Sequence, residues 1–387
     1  MKKTILSCAF MMALSLHAQK KDFVSLPSRV NVQSEYAPDS AIIDGEWVAV
    51  GTGKKHAIGY DYTRMFKGKP SYRFYLKADD NTLEGWSKGE TKGRAELSYC
   101  YATAQDIAKL TDQEYDNAVK IKKVYHYGKG ISEQASTRDY TFSVYIPGDL
   151  SNKVHTIFAQ WHGMPTRTLL QTPEGEIKQV SDEEFVKLYD QMIFKKNTGH
   201  EKIADLNKKG EQRKDKNGNL LFKAGKPNGY LVEQGGYPPL AFGFADNHFY
   251  IKANSDRKWL TDKTDRCNAN IVRTPIMGSE TSEYKSSTIA YKMPFSEFPK
   301  DKWITFKVRI KWTKYGREAE TILEPGMLDV VMDYKNGKKS VSEHIVKNEK
   351  IMIGRNDDDG YYFKFGIYRV GNSTEPVLYN LAGYSEK

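Results

Sequence analysis

YYFKFGIYR, residues 361–369, sets Tyr362, Lys364, Gly366 and Tyr368 on one side and Phe363, Phe365 and Ile367 on the other. Side chains alternate across a β-strand, so this spacing predicts a strand with one face in a core and a polar face held apart from it. On an antiparallel sheet such a polar face is commonly plain solvated surface. Here it groups phenols and an amine around a glycine, which is also what the floor of a site needs. The choice between surface and site depends on what the neighbouring strands carry.

Working outward, the same alternation recurs in GEWVAVG, SYRFYLKA, RAELSYCYA, RDYTFSVYIPG and KVHTIFAQWHG before Met164. It returns after Tyr237 in LAFGFADNHFYIKAN, STIAYKMPF, DKWITFKVRIKWT and GMLDVVMDYKNGKKSV. Turn-rich pieces such as PDSA and GDLSN separate the strands. Lys335-Asn336-Gly337-Lys338 reads as a hairpin turn, because Asn-Gly supplies the positive φ angles that a tight turn requires. Many antiparallel strands of this length pack most economically as an all-β two-sheet sandwich or jelly roll. One helix is predicted over residues 103–119, and a second over SDEEFVKLYDQMIFKK, residues 181–196, opened by a capping box of Ser181 and Glu184. Residues 167–232 are charged and weakly apolar and read as an inserted, partly helical basic lobe. The expected organisation is a jelly roll in two parts, 19–166 and 233–387, interrupted by that lobe.

The opening MKKTILSCAFMMALSLHAQ has a two-lysine head, an apolar run and Leu16-His17-Ala18 before Gln19, the pattern of a cleaved secretory signal over residues 1–18. No later segment approaches the roughly 20 apolar residues that span a bilayer. A periplasmic or secreted protein is expected. Without Cys8, only Cys100 and Cys267 remain, which excludes a disulfide framework and a cysteine metal site. The chain carries a net charge of +10, and loss of Lys2 and Lys3 leaves +8. Such an excess favours polyanionic partners. Export favours an acidic polysaccharide over nucleic acid, and a monomer is expected.

Two other strands supply partners for the polar face of 361–369. In KVHTIFAQWHG, Gln160 and His162 share a face with Phe158, opposite Trp161, Ala159 and Ile157; in GRAELSYCYA, Arg94, Glu96 and Ser98 share one, opposite Ala95, Leu97 and Tyr99. If the three faces line one concave sheet they form a groove floor. Histidine moves a proton near neutral pH, and a tyrosine beside Lys or Arg can do likewise. Arginine and an amide neutralise a carboxylate and the enolate-like charge that develops on it. Quenching a uronate carboxylate acidifies its C5–H and permits β-elimination of the sugar at O4. No nucleophilic serine, HExxH or Walker motif is present. A glycosidase normally needs two facing carboxylic acids, whereas this cluster offers Glu96 alone.

Arg94-Ala95-Glu96-Leu97, Gln160-Trp161-His162 and Tyr362-Phe363-Lys364-Phe365-Gly366-Ile367-Tyr368 resemble, in chain order, the R-x-E-L, Q-x-H and Y-F-K-x-G-x-Y motifs of the jelly-roll alginate lyases and their relatives. The whole chain, including the basic insertion after Gln-Trp-His, looks more like the heparin lyase I family, which shares the jelly roll and carries a thumb-like insertion. Ser98, where alginate lyases usually have Arg, and Arg369, in place of Asn-Gln, both lean away from alginate. The resemblance implies an exported lyase that cleaves heparin and highly sulfated heparan sulfate at 2-O-sulfated iduronate. His162 would be the base at C5 and Tyr368 the acid at O4, roles that swap with the C5 configuration. Gln160 and Arg94 would neutralise the carboxylate, Lys364 would hold Tyr368 or substrate, and Glu96 would orient Arg94. An alginate or other polyuronate lyase, and a noncatalytic glycan-binding sandwich, are the competing expectations.

Between Lys195 and Lys226 ten bases face four acids, a local net of +6. Lys195, Lys196, Lys208, Lys209 and Arg213 are the expected sulfate contacts of a mobile thumb, with Arg73 and Tyr362 extending the groove. Asn356-Asp357-Asp358-Asp359-Gly360 is dense in oxygen donors, which suits calcium. The family resemblance implies a calcium site made of Asn356, Asp357, Glu233 and a carbonyl from Trp259. Asp215-Lys216-Asn217-Gly218-Asn219 lacks the closing Glu of an EF-hand and reads as a turn.

Overall fold

A computed structural model describes residues 22–25, 42–43, 47–51, 54–80, 93–99, 106, 108–121, 123–166, 168–195, 197–232, 237–261, 279–369 and 373–387. The expected signal segment, Cys100, Cys267, Lys196 and Glu233 lie outside the described residues. No helix among the described residues is long and apolar enough to cross a membrane.

Two large antiparallel sheets face each other. The first, of eight strands, runs in the spatial order Phe23–Ser25, Ile58–Phe66, Lys69–Leu76, Val377–Glu386, Thr137–Tyr145, Trp303–Lys311, Gly326–Asn336 and Lys339–Ile351. The second, of ten strands and here called the site sheet, runs Glu280–Thr281, Lys285–Pro294, His248–Asp256, Leu240–Ala245, Thr156–Pro165, Asp358–Arg369, Arg94–Ser98, Trp47–Gly51 and Ile42–Ile43, with Gly354–Arg355 added parallel to His248–Asp256. This is the jelly-roll sandwich that the alternating strands predict. Its core is aromatic: Trp161 and Phe363 of the site sheet lie 5.0 Å apart between ring centroids, and Phe142 of the facing sheet meets Phe363 at 5.2 Å and Phe306 at 5.4 Å. Each such buried side chain contributes about 1.5–3 kcal/mol, so the inner faces anchor both sheets and leave the outer face of the site sheet for chemistry.

Three local expectations change. The continuous helix expected over 103–119 is interrupted: Thr111 is extended and caps a helix over Asp112–Lys120 through a reciprocal capping box with Glu114, while 103–105 and 107 lie outside the described residues. The second helix covers only Asp182–Asp190, capped by Ser181, and Met192–Lys195 turns into a strand. That strand pairs with Thr198–Ala204, the next strand along the chain, a pairing that helical periodicity does not register. The hairpin turn falls on Gly337 (φ +61°) and Lys338, with Asn336 closing the ladder opposite Lys339. Between Leu169 and Leu231 the lobe forms its own five-stranded sheet, in the order Ile177–Gln179, Leu169–Gln171, Phe222–Leu231, Thr198–Ala204, Met192–Lys195. The lobe is therefore more strand than helix. Asp215 accepts from the backbone N–H groups of Asn217 and Asn219, so 215–219 is the turn its sequence suggests.

Candidate active site

The three polar faces sit on adjacent strands, with Asp358–Arg369 between Thr156–Pro165 and Arg94–Ser98. Register places Lys364 between Ser98 and Gln160, Tyr362 opposite His162, and Tyr368 opposite Arg94. One departure from strict alternation matters here. A bulge at Phe158 turns that ring into the core, where it packs on Phe249 and Phe306, and the register shift beside it sets Ile157 opposite Tyr368. The glycine of the opening stretch has a physical cause. Gly366 has φ +137°, and a Cβ there would run into the carbonyl oxygen of Ala95 and lie 2.6 Å from Cα of Glu96. Only a residue without a side chain lets the two strands close on each other at this rung.

Glu96 is the hub. Lys364 Nζ donates to its Oε2 at 2.7 Å, Arg94 Nε pairs with the same oxygen at 3.0 Å, and Gln160 Nε2 donates to Oε1. A carboxylate only accepts, so Gln160 must turn its NH2 toward Glu96 and the amide orientation is settled. Glu96, Gln160 and Lys364 are buried, while Arg94, His162, Tyr362 and Tyr368 are partly accessible. The Arg94 guanidinium also stacks 4.8 Å from the centroid of the Tyr368 ring and holds its plane. Burial pulls the Lys364 ammonium down to about 8 against the opposing pull of Glu96, so it stays largely protonated at neutral pH.

His162 Nδ1 donates to the carbonyl of Gly163 at 2.9 Å, which leaves Nε2 as the basic nitrogen. Burial, then the positive charges of Lys364, Arg94 and Arg355, push its imidazolium down to about 3, opposed by the Gly163 bond. The ring is a neutral base across the neutral range. Gly163 and Arg355 are contributors that the strand pattern missed. A Cβ on Gly163 would run into the Asp358 carboxylate, a contact no sequence spacing reveals. Arg355 is buried and donates from Nη2 to the carbonyl of Tyr237 at 2.9 Å; it stands one residue before the Asn-Asp run that drew attention.

Tyr362 lies beside His162, with ring centroids 5.6 Å apart. Arg73 does not join them. Its strand, Lys69–Leu76, belongs to the facing sheet and turns Phe74 into the core, so Arg73 points outward from the opposite surface and lies over Tyr75. Alternation was read correctly along that strand, but its sheet was not. Arg369 faces inward and donates to the carbonyls of Lys77, Glu375 and Asp80, a structural anchor. Lys195, Lys208 and Lys209 are exposed on the lobe, and Arg213 pairs with Asp205 at 3.4 Å.

Among the described residues no three His, Cys, Asp or Glu side chains converge as a metal group. The structure does bring the 257–261 turn against Asn356 and Asp357. Asn356 Nδ2 donates to the carbonyls of Arg257 and Arg317 at 2.7 and 2.8 Å, and Thr261 Oγ1 donates to Asp357 Oδ2. Asn356 Oδ1 is buried with no hydrogen-bond partner.

A family model described as polysaccharide lyase matches residues 39–381. Heparin lyase I of Pedobacter heparinus is 61% identical over 389 residues, covering 100% of this chain and 99% of that protein. Among solved structures, alginate lyase A1-II', a member of polysaccharide lyase family-7, is 12% identical with a TM-score of 0.33, covering 94% of this chain and 93% of that one. The PL-14 alginate lyase of Aplysia kurodai is 8% identical with a TM-score of 0.36, covering 94% and 97%. The full-length match and the identity sustained from end to end carry the conclusion that this chain belongs to the polysaccharide lyase family, together with the heparin lyase I of P. heparinus.

Proposed function

We propose that this lyase is exported and cleaves heparin and highly sulfated heparan sulfate by β-elimination at 2-O-sulfated uronic acid, leaving an unsaturated uronate end. The name of its 61%-identical relative and the +6 lobe support the substrate class. One observation carries the chemistry: a neutral imidazole with Nε2 available, on the same face as the Arg94–Glu96–Gln160–Lys364 ladder. Arg94 and Gln160 neutralise the uronate carboxylate. His162 Nε2 then takes the C5 proton, the C5–H electron pair becomes the C4=C5 double bond, and the C4–O4 bond breaks. Tyr368 gives its phenolic proton to the departing O4. Glu96 keeps the three polar groups aimed and does not itself transfer a proton.

The test follows ultraviolet-absorbing unsaturated product from heparin, heparan sulfate and alginate. His162→Ala and Tyr368→Phe are expected to lower kcat by about 10²–10⁴-fold while KM stays within a few-fold, as for groups used in the transition state. Wild-type turnover in either variant rejects its role. Preference for alginate rejects the substrate, and affinity without product from any polymer leaves a glycan-binding sandwich.

Calcium fits the second cluster because the donors are oxygens and the Asn356 Oδ1 acceptor is otherwise unanswered. Asn356, Asp357 and the Trp259 carbonyl would hold it, with Glu233 as a further ligand. The ion would supply a fixed joint between the 257–261 turn and the head of the strand that bears Lys364. Chelation is expected to lower both the thermal midpoint and turnover, and calcium to restore both. A midpoint and activity indifferent to chelation remove the proposal.

A further inference from the structure

Lys123, which follows the helix Asp112–Lys120, reaches in two directions. Its Nζ donates to Asp182 Oδ1 at 3.2 Å and lies 3.8 Å from Asp359 Oδ2. Asp182 is the first residue of the lobe helix, and Asp359 is the second residue of the strand that carries Tyr362, Lys364 and Tyr368. Three residues before Lys123, Lys120 pairs with Asp190 Oδ1 at 2.7 Å, at the other end of the same lobe helix. Asp359 gathers two more contacts. Thr166 Oγ1 donates to its Oδ1 at 2.9 Å from the neck of the lobe, and Arg317 Nη2 donates at 3.4 Å from the turn between Lys314–Gly316 and Thr321–Glu324. The sandwich core, among the described residues, has no member between Trp161 and Leu240. The lobe therefore lies outside that core; it buries apolar side chains of its own, such as Leu169 and Phe185, and the charge pairs add ties at both ends of its helix.

We propose that Lys123 is a positioning residue for long substrates. It ties the basic lobe to the head of the catalytic strand, so that sulfates held by the lobe keep register with the uronate on the floor. The inference rests on the lyase reading above. Lys123 is 19% exposed, Asp182 47% and Asp359 18%, so the pairs belong to the modest, partly screened class. The expected effect is correspondingly modest and depends on substrate length.

The experiment compares wild type, Lys123→Met, Lys123→Arg and Asp182→Asn on heparin chains and on a heparin tetrasaccharide, following unsaturated uronate. Lys123→Met and Asp182→Asn are expected to raise KM on chains about two- to fivefold, the size of a half-exposed ion pair, with kcat on the tetrasaccharide unchanged. Lys123→Arg should stay close to wild type. A lysine that gripped sulfate directly would behave differently, because Asp182→Asn would release it toward substrate and lower KM. That result, or equal losses on chains and tetrasaccharide, overturns the proposal. Absence of unsaturated product from the wild type would instead remove the lyase reading beneath it, so the two failures are distinct.

Discussion

Glu96 pairs with Lys364, Arg94 and Gln160 at once, and this arrangement lets three groups that would repel or misorient one another share a single floor. His162 stands beside that cationic ladder and is kept neutral by burial first and by those positive charges second. The consequence for stability has a definite sign. The unfolded chain binds a proton on His162 below about 6.5, whereas the folded chain refuses it until about 3. Between those values the unfolded state holds more protons, so stability falls as pH falls through this window. His162→Gln, which cannot titrate, should flatten the dependence of denaturant-derived unfolding free energy between pH 6.5 and about 4. A slope identical to wild type would mean the imidazole titrates normally. The candidate residues were legible in the sequence because each motif states its residue types. The tautomer of His162 was not, because it depends on a carbonyl turned toward Nδ1 by the local backbone.

Strands were readable wherever alternation held, and misread where a bulge broke it. Phe158 was expected beside Gln160 and lies in the core, because a bulge inserts one residue and reverses the facing of everything before it. Met192–Lys195 looked like the end of a helix, since the three-residue apolar run Met192–Phe194 has no period of its own. The capping box of Thr111 and Glu114 was, by contrast, written in the sequence and marks the start of Asp112–Lys120. Gly366 is the element-scale pivot of the site. Gly366→Ala forces a Cβ against the backbone of Ala95 and Glu96 at a φ that side chains rarely adopt. It is expected to cost roughly 2–4 kcal/mol and to displace Glu96, so both the denaturation midpoint and kcat should drop. Unchanged stability would show that the two strands have slack at this rung.

The molecule separates its tasks between an aromatic sandwich, which fixes the floor, and a polar lobe, which carries concentrated positive charge. Counterion release then governs how chains bind. Raising salt from about 50 to 200 mM should lower kcat/KM on heparin by at least about tenfold, with kcat little affected. A salt-independent kcat/KM would mean that the lobe lysines do not meet sulfate. The position of Arg73 belongs to this scale as well: its exposed face was legible, but the sheet to which that face belongs depends on pairing with Ile58–Phe66 and Val377–Glu386.

From the amino-acid sequence alone came the all-β class, the inserted basic lobe and the three strands whose polar faces hold Arg94, Glu96, Gln160, His162, Lys364 and Tyr368. These are local properties, since a strand's alternation and a lobe's charge travel with the chain wherever it is placed. Only the tertiary structure decided that the three strands are neighbours in one sheet, that Glu96 joins their cations and amide, and that Arg73 lies on the far surface. Those facts follow from which distant strands bury one another's apolar faces, a choice made by the whole core at once.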